Sequence, residues 1–575
     1  MIIQPLLNIA EICARKGLTQ VVLSPGSRCA HLVLAFVRHP QIKTYTITDE
    51  RSAAFVAMGL AQQSQSPVAL VCTSGSAALN YAPAVAEAYY QRVPLVMMTA
   101  DRPPEWIDQL DGQTIRQQNI YGRHIKGSFQ LPVDFSHPDA VWQAGRQVNE
   151  AINRAVDDTP APVHVNIPIR EPFYPTPEQE VHYDRDVKII EVISQQATLD
   201  KPTWNRLLDQ WDATENKLIV AGQYPYDAAL LKALHHLQED YNVPLVGDII
   251  SNTHQLPRGI QYHDTFLGQS TAHLHPSFCP ELLVTYGQSL ISKSLKLMLR
   301  QYRPRYHWHI GTETQVADTF QSLTHHIPVR PTYFFSQLFS DLDFKNMLDG
   351  EQDEDNPFAN LWQDHNQRAG RYVAHFPFAE HTFSEFEAIQ AVMQQLPAHG
   401  LLHLANSMAV RYANFVGLDH ATHPETKVFA NRGTSGIDGS VSTAVGTALA
   451  APDQIVTLIT GDLAFFYDRN GLWNNYLPPN LRVVLMNNHA GGIFRIIKGP
   501  KDQPELEEYF ETQQPLNAQN TARDFNLTYG LVQDRAALQT QLAAFFEPGD
   551  QPKLLEIETS SVTNAAVLKE FREGF

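Results

Sequence analysis

One recurring unit restricts this chain more than any other feature. A short run of apolar, often β-branched residues stops at a glycine, asparagine or acid and gives way to a helix-patterned stretch. QVVLSPG, TYTITDE, VALVCTSG, PLVMMTADR and VHVNIPI follow one another through residues 1–180, with Arg51–Gln62 and Ala77–Gln91 among the helical pieces. KLIVAG, PLVGDII, ELLVTYG and YHWHIG repeat the alternation over 190–345, and LLHLANS, VFANRG, IVTLITGD, RVVLMNN and KLLEIET over 375–575. Strands with no polar alternation are buried on both faces, which requires helices above and below a parallel sheet. The expected fold class is therefore α/β, with three doubly wound parallel-sheet domains over 1–180, 190–345 and 375–575. The Pro-rich, then charged stretch EPFYPTPEQEVHYDRD reads as one connection, and the acidic Asp349–Asp355 (DGEQDED) as a solvated linker. No short-period repeat is visible.

A chain of 575 residues accommodates roughly three or four domains. Its net charge of −18 argues against a general nucleic-acid surface and against anionic membranes. An acidic protein that handles acidic substrates has to concentrate its arginines locally, so the arginine-bearing motifs carry most weight. Cys13, Cys29, Cys72 and Cys279 form no CxxC pair and read as reduced, mostly buried thiols. Glu11 interrupts the apolar N-terminus and no basic leader precedes it, so this stretch reads as an amphipathic helix rather than a signal peptide. No run is long enough to span a membrane. A cytoplasmic protein without membrane insertion is the expectation.

The most informative stretch is Gly461–Phe494, GDLAFFYDRNGLWNNYLPPNLRVVLMNNHAGGIF. The apolar run Ile455–Ile459 ends in Gly461-Asp462, and a second, Leu481–Met486, ends in Asn487-Asn488, followed by Ala490, Gly491 and Gly492. A strand–helix–strand separation brings two such ends side by side at the carboxyl edge of a sheet, where open α/β sheets bind ligands. One carboxylate, one amide oxygen and a backbone carbonyl make a hard-oxygen set suited to Mg²⁺ shared with a diphosphate. Alone, Gly-Asp is a turn with a helix cap.

Further motifs close other strands. Ser24-Pro25-Gly26-Ser27-Arg28 offers free amides and a guanidinium to an anion. Asp49-Glu50 starts a helix, where acids are ordinarily favoured by the dipole. Thr99–Glu105 (TADRPPE) is followed by Gly112–Gln117 (GQTIRQ), and Asp101 and Arg102 could pair with each other. Asn406–Arg411 (NSMAVR) and Asn431–Gly439 (NRGTSGIDG) end strands of the last unit, the second rich in glycines that let backbone amides approach an anion.

Gly-Asp followed by Asn-Asn resembles the metal–diphosphate motif of thiamine diphosphate enzymes. SPGSR, TDERSAAF, TADRPPE, NRGTSGIDG and GDLAFFYD…NN together resemble the 2-succinyl-5-enolpyruvyl-6-hydroxy-3-cyclohexene-1-carboxylate synthase family of menaquinone biosynthesis. The likeness covers both outer units in order, and the middle one through QSLISKS around Lys293. It implies a pyrimidine-binding, a central and a diphosphate-binding domain, with thiamine diphosphate and Mg²⁺ or Mn²⁺ as cofactors. The metal ligands would be Asp462, Asn488 and the Ala490 carbonyl. Glu50 would be the catalytic residue on the aminopyrimidine ring. Ser407, Gly436, Ile437, Gly461, Leu463 and Ile493 would complete the cofactor site, with Ile437 wedged between the two rings.

The substrates implied are 2-oxoglutarate and isochorismate, held by Ser27, Arg28, Arg102, Gln113, Lys293, Arg411, Arg432 and Phe494. A homodimer or dimer of dimers is implied, because Glu50 would act on cofactor held by the partner chain. Three departures stand out: Ala490 where many members have Gly, Gly112 where some have Asn, and Ser294 where some have Arg. Other thiamine enzymes, acetohydroxyacid synthases or oxoacid decarboxylases, act on less charged substrates and need fewer arginines. A catalytically silent homologue is disfavoured by the presence of Glu50, Ile437, Asp462 and Asn488 together. A nicotinamide dehydrogenase is disfavoured by the lack of GxGxxG after a strand.

Overall fold

The computed structural model describes residues 3–171, 174, 181–268, 275–349 and 356–575. Half of the Pro-rich connection and most of the acidic stretch lie outside the described residues. Three parallel sheets make up the frame. The first contains β1 (Gln20–Leu23), β2 (Lys43–Thr46), β3 (Val68–Cys72), β4 (Leu95–Asp101), β5 (Ser128–Gln130) and β6 (Val163–Pro168), in the order 2-1-3-4-6-5. The second contains β7 (Lys217–Ala221), β8 (Leu245–Gly247), β9 (Leu282–Tyr286), β10 (Tyr306–Ile310) and β11 (His325–Ile327), in the order 11-10-9-7-8. The third contains β12 (Leu401–Leu404), β13 (Lys427–Ala430), β14 (Val456–Gly461), β15 (Leu481–Asn487), β16 (Thr528–Val532) and β17 (Lys553–Glu558), ordered 13-12-14-15-17-16.

Counted from its own first strand, the third sheet has the same order as the first. The two outer units thus share a topology although no repeat is visible in the sequence. A sheet order asks only for apolar runs of suitable length and connections of one hand, which many sequences satisfy. Strands β5, β11 and β16 were not anticipated. Each lies at a sheet edge and carries half-exposed positions, so none has the continuous apolar run that marks an inner strand. The expected single helix Ala77–Gln91 is two, Ser76–Asn80 and Ala82–Gln91, joined at Tyr81. Pro83 has no N–H to continue the first helix and sits instead in the opening turn of the second.

The outer units meet along two helices, Glu50–Ser64 and Ser440–Ala450. Both helices are buried along nearly their whole length, and both are rich in alanine, serine and glycine. Small residues let the backbones close to contact. A methyl group on Gly59 would lie 2.0 Å from the Thr443 carbonyl oxygen, and one on Gly446 would lie 2.1 Å from that of Val56. At the helix starts, the Arg51 guanidinium donates to the Tyr467 carbonyl at 2.7 Å, and Asn470 Nδ2 donates to Asp49 Oδ2 at 2.8 Å. The middle unit fastens to the third sheet by its own loops. Asn252 accepts from Val428 N at 2.8 Å, Gln223 donates to the Ala430 carbonyl at 2.8 Å, and Ser289 donates to the Arg432 carbonyl at 3.1 Å.

The crossing yields a test. Ala is favoured over Gly inside a helix by about 1 kcal/mol, yet overpacking a tight contact costs about 1–3 kcal/mol, and more where backbone must move. The steric term dominates at Gly59, so Gly59→Ala is expected to lower unfolding stability by about 1–2 kcal/mol. Denaturant titration measures it; a midpoint at or above wild type would show that the two helices part freely.

Candidate active site

Strands β14 and β15 are neighbours, with Gly461 paired to Met486, so Asp462 and Asn487-Asn488 leave the sheet side by side. On the other side of β14 lies β12, from which the chain returns to β13 in the opposite direction across the sheet. The site therefore sits at a point where the strand order reverses. Asp462 opens the helix Asp462–Asp468 and is 2% exposed. Its Oδ2 accepts from Gln514 Nε2 at 2.8 Å, but burial dominates and pushes the carboxyl up to about 6. Asn488 Oδ1 accepts from Ala490 N at 2.9 Å, and the Ala490 carbonyl accepts from Gly492 N at 2.9 Å. Each of these oxygens keeps a second lone pair.

Around this oxygen set, Leu463 and Phe494 converge on Gly491, where an added methyl would lie 3.3 Å from each side chain. Ile493 and Phe494 belong to the turn Gly492–Arg495 and are both half-buried. That turn is held by Glu511, whose carbonyl accepts from Gly491 N at 2.6 Å and whose carboxylate accepts from Arg495 Nε at 2.9 Å. Among the described residues, chain neighbours aside, no atom lies within 4 Å of where a side chain on Gly461 would begin.

The helix Met408–Val416 starts beside this set at Ser407, which takes a φ of +74°. Arg411 Nη1 donates to the Ser407 carbonyl at 2.5 Å, and Arg432 Nη1 donates to Asn406 Oδ1 at 3.0 Å. Arg432 Nε is buried with no partner among the described residues. Neither guanidinium lies within 4.0 Å of a carboxylate among the described residues. Burial, then the charge of Arg432, brings Arg411 down to about 10; burial likewise lowers Arg432. Asp264 acts on Arg411, and Asp248 and Glu87 on Arg432, only from beyond ion-pair distance. Two neighbouring, partly desolvated cations with no direct ion pair among the described residues can take an anion.

The NRGTSGIDG loop is tied down from both sides. Asn406 Nδ2 donates to the Asn431 and Gly436 carbonyls, each at 2.6 Å. Glu87, from the first unit, accepts from Gly433 N at 2.7 Å, Thr434 N at 2.6 Å and Thr434 Oγ1 at 2.5 Å. A side chain on Gly436 would run into Asp438 Oδ1 at 2.1 Å. Ile437, at the crest, leaves 40% of its surface open.

Lys293 is exposed at the start of the helix Lys293–Gln301; Lys296, one turn on, is partly buried and feels the charge of Arg432. That helix start is fixed by a buried acid–imidazole group. Asp248 accepts from Ser292 N at 3.3 Å, from His263 Nε2 at 3.2 Å and from the Ile291 amide. Asp264 accepts from Ser292 Oγ at 2.5 Å and from Asn414 Nδ2 at 3.2 Å. Asp248, His263 and Asp264 are spaced as metal ligands can be, but their oxygens are already met by protein donors, so the group works as an ion-paired clamp. Burial opposes the charge on His263, yet Asp248 outweighs it and keeps the imidazole above its ordinary range. The clamp reaches Asn414, on the same helix as Arg411.

In the first unit, Glu50 is half-buried at the start of its helix, with Asp49 as the cap, accepting from Arg51 N at 3.0 Å. Ser27 is exposed and Arg28 is 5% exposed, its Nη1 donating to the Ile169 carbonyl at 2.8 Å. Arg102 donates to the Gly112 carbonyl at 2.9 Å and pairs with Asp111 at 3.2 Å; Asp101 accepts from the Arg102 backbone N–H at 2.7 Å and from Asn166 Nδ2 at 2.7 Å, not from the guanidinium. Gln113, with φ +55°, packs on Gly75, and the buried Gln117 beneath accepts from Gly75 N at 2.7 Å. These residues lie at the carboxyl ends of their own sheet; no described contact joins them to Arg411 or Arg432. A cavity of about 1310 Å³ elsewhere, lined by Arg92, Tyr224 and Lys427, includes none of the candidate residues.

Residues 8–124 match the family described as thiamine pyrophosphate enzyme, N-terminal TPP binding domain, and residues 413–557 its C-terminal TPP binding domain. A 2-succinyl-5-enolpyruvyl-6-hydroxy-3-cyclohexene-1-carboxylate synthase of Cytophaga hutchinsonii is 45% identical, covering 99% of this chain and 98% of the relative. Proteins of the same name from Flavobacterium psychrophilum and Desulfotalea psychrophila are 38% and 34% identical, over 98% and 96% of this chain and 97% and 98% of theirs. The chain belongs to the 2-succinyl-5-enolpyruvyl-6-hydroxy-3-cyclohexene-1-carboxylate synthase family.

The cofactor of this family is thiamine diphosphate. The oxygen set fits the metal that accompanies it. Asp462 is buried, and a second buried carboxyl, Glu385, stands close by. Burial, then the charge of Asp462, pushes Glu385 up to about 8. Such crowding of acids is relieved by a divalent cation on hard oxygen ligands. Glu87, Gln514, Lys296 and Glu385 escaped sequence reasoning. Each sits in an ordinary helical or loop stretch, and the hydrogen-bond partners of Glu87, Gln514 and Glu385 lie far away along the chain.

Asp462→Ala should therefore lose Mg²⁺-dependent retention of thiamine diphosphate by at least about tenfold, since a charge-assisted contact is worth about 1.5–3 kcal/mol. The unfolding midpoint of the ligand-free protein should not fall, because burial already disfavours this carboxylate. Calorimetry with and without Mg²⁺, beside thermal unfolding, separates the two effects.

Proposed function

We propose that this protein decarboxylates 2-oxoglutarate and joins the remaining succinyl unit to isochorismate, giving 2-succinyl-5-enolpyruvyl-6-hydroxy-3-cyclohexene-1-carboxylate and carbon dioxide. The observation that carries the reading is the pair of mutually close, partly buried guanidiniums, Arg411 and Arg432, which make no direct ion pair among the described residues and are hydrogen-bonded to Ser407 and Asn406 at the end of β12, the strand next to β14 and its Asp462. The two substrates bring four carboxylates, one of which leaves as carbon dioxide. A smaller, less charged substrate would leave those cations unmatched.

Bound thiamine diphosphate supplies the nucleophilic carbon that adds to a 2-oxo acid, stores the electrons released by decarboxylation and passes them to an acceptor. Asp462, Asn488 and the Ala490 carbonyl would hold Mg²⁺ or Mn²⁺ at its diphosphate. Gly436, Ser407 and Gly461 leave the backbone open to the phosphates, and Ile437, Leu463 and Ile493 would line the rings. Glu50 would share a proton with the aminopyrimidine nitrogen, a task an amide cannot perform. Arg411 and Arg432, with Phe494 as an apolar wall, would take substrate carboxylates from the diphosphate side. Ser27, Arg28, Arg102, Gln113 and Lys293 would do so from the other two units. This division gives residues 1–180 the pyrimidine-binding role, 190–345 the central role and 375–575 the diphosphate-binding role.

A homodimer, or a dimer of dimers, completes the reading, with Glu50 of one protomer serving cofactor held by its partner. Support comes from the large apolar side chains left exposed around the two outer units, Leu79, Tyr467 and Trp473 among them, each about half open. A cytoplasmic location fits the four free cysteines. Among the described residues no helix is long and apolar enough to cross a membrane.

Two measurements test the proposal. Isochorismate and 2-oxoglutarate should be consumed together only when thiamine diphosphate and Mg²⁺ are present. Glu50→Gln should still bind cofactor but slow exchange of its thiazolium C2 proton, followed by NMR, by about 10²–10⁴-fold. Wild-type exchange would return Glu50 to a mere helix-start acid.

The shared site has its own test. Glu50→Gln and Asp462→Ala homodimers are each inactive; after subunit exchange, the hybrids of a two-fold dimer carry one intact site, so about a quarter of wild-type activity should return. No recovery despite proven exchange would place each site within one chain.

A further inference from the structure

As a metal ligand Asn488 has a side chain with two nearly isosteric ends. Only the oxygen end can meet a cation; the NH₂ end repels it. Something has to decide which end faces Asp462. In this protein the partner of the NH₂ end is Glu385: Asn488 Nδ2 donates to Glu385 Oε1 at 2.6 Å. Glu385 is 3% exposed and held from behind. Its backbone N–H donates to Asn564 Oδ1 at 3.0 Å, and Asn564 Nδ2 donates to Thr559 Oγ1 at 2.9 Å. Ser384 caps the helix that Glu385 begins. The backbone of Glu385 is thus anchored to the C-terminal helix Ser561–Gly574 and to the end of β17, not to the loop its carboxyl serves.

We propose that Glu385 is a positioning residue that orients the Asn488 amide, so that Oδ1 rather than Nδ2 faces the metal. A carboxyl in that place would otherwise be costly, since it is almost fully buried with a second buried acid, Asp462, nearby. A glutamine or an apolar residue would be expected if only packing were at stake. Hydrogen-bond partners behind metal ligands set ligand orientation, and their loss typically costs 10–100-fold in metal affinity.

The inference rests on the assignment of Asp462 and Asn488 as metal ligands, and its test keeps the two apart. Mn²⁺ binding to the full chain with thiamine diphosphate present is followed by the EPR signal of free Mn²⁺. Asp462→Ala serves as the control on the site itself: if it binds Mn²⁺ like wild type, the ligand assignment fails. With that control behaving, Glu385→Met should weaken Mn²⁺ binding by about 10–100-fold. The decisive variant is Asn488→Asp. An aspartate presents oxygen at both ends, so orientation ceases to matter, but beside Glu385 it sets two carboxylates together. Alone it should bind Mn²⁺ poorly, while Glu385→Met/Asn488→Asp should bind at least about tenfold better than either single variant.

Unchanged affinity in Glu385→Met, or a double variant no better than the singles, would overturn the proposal. Should Glu385→Met not fold, Glu385→Gln replaces it. A smaller loss is then expected, because its amide can present either end, and the same rescue by Asn488→Asp is required.

Discussion

The structure depends on one close approach, the crossing of the Glu50–Ser64 and Ser440–Ala450 helices. Two parallel sheets with apolar faces have to be covered, and here each supplies a helix that serves as both its own cover and its neighbour's. Gly59 and Gly446 leave no room for a methyl group, so the backbones themselves are in contact. Dispersion at that distance is dense and non-directional. Direction comes from the rim: Arg51 on Tyr467, Asn470 on Asp49, and Glu87 on the amides of Gly433 and Thr434. Those polar contacts attach loops that carry ligand chemistry to the rigid crossing, which keeps them from following their own lowest-energy turns.

What the frame delivers is unbalanced charge at defined places. On one side of the Met408–Val416 helix start lie Asp462 and Glu385, both raised by burial. Arg411, on that helix itself, and Arg432 are both lowered by burial. Burying unpaired charge costs several kcal/mol per group, and a sequence under no other demand would pair the acids with the arginines or remove both. That they are not paired supports the proposed reading, in which the acids take a cation and the arginines take anions. The Asp248–His263–Asp264 clamp shows the contrast. It is as buried and as acidic, but every oxygen there meets a donor, and it fixes structure instead of binding a ligand.

The sequence by itself determined the α/β class and the inner strands of all three sheets, because a strand buried on both faces must be a continuous apolar run. It also marked the strand ends, since Gly461-Asp462, Asn487-Asn488 and the NRGTSGIDG loop owe their chemistry to adjacent residues. Edge strands such as His325–Ile327 escaped it, for a half-exposed strand carries a weaker pattern. Only the tertiary structure decided that the first and third sheets share one strand order, that Gly461 pairs with Met486, and that Arg102 turns to Asp111 rather than Asp101. Only it placed Glu87 on the 433–434 loop, Gln514 on Asp462 and Glu385 on Asn488. The physical reason is range. Helix and strand patterns and turn chemistry are local, written in residues a few positions apart. A hydrogen bond between residues 385 and 488 leaves no trace in either neighbourhood, and it comes into being only when packing has closed the chain on itself.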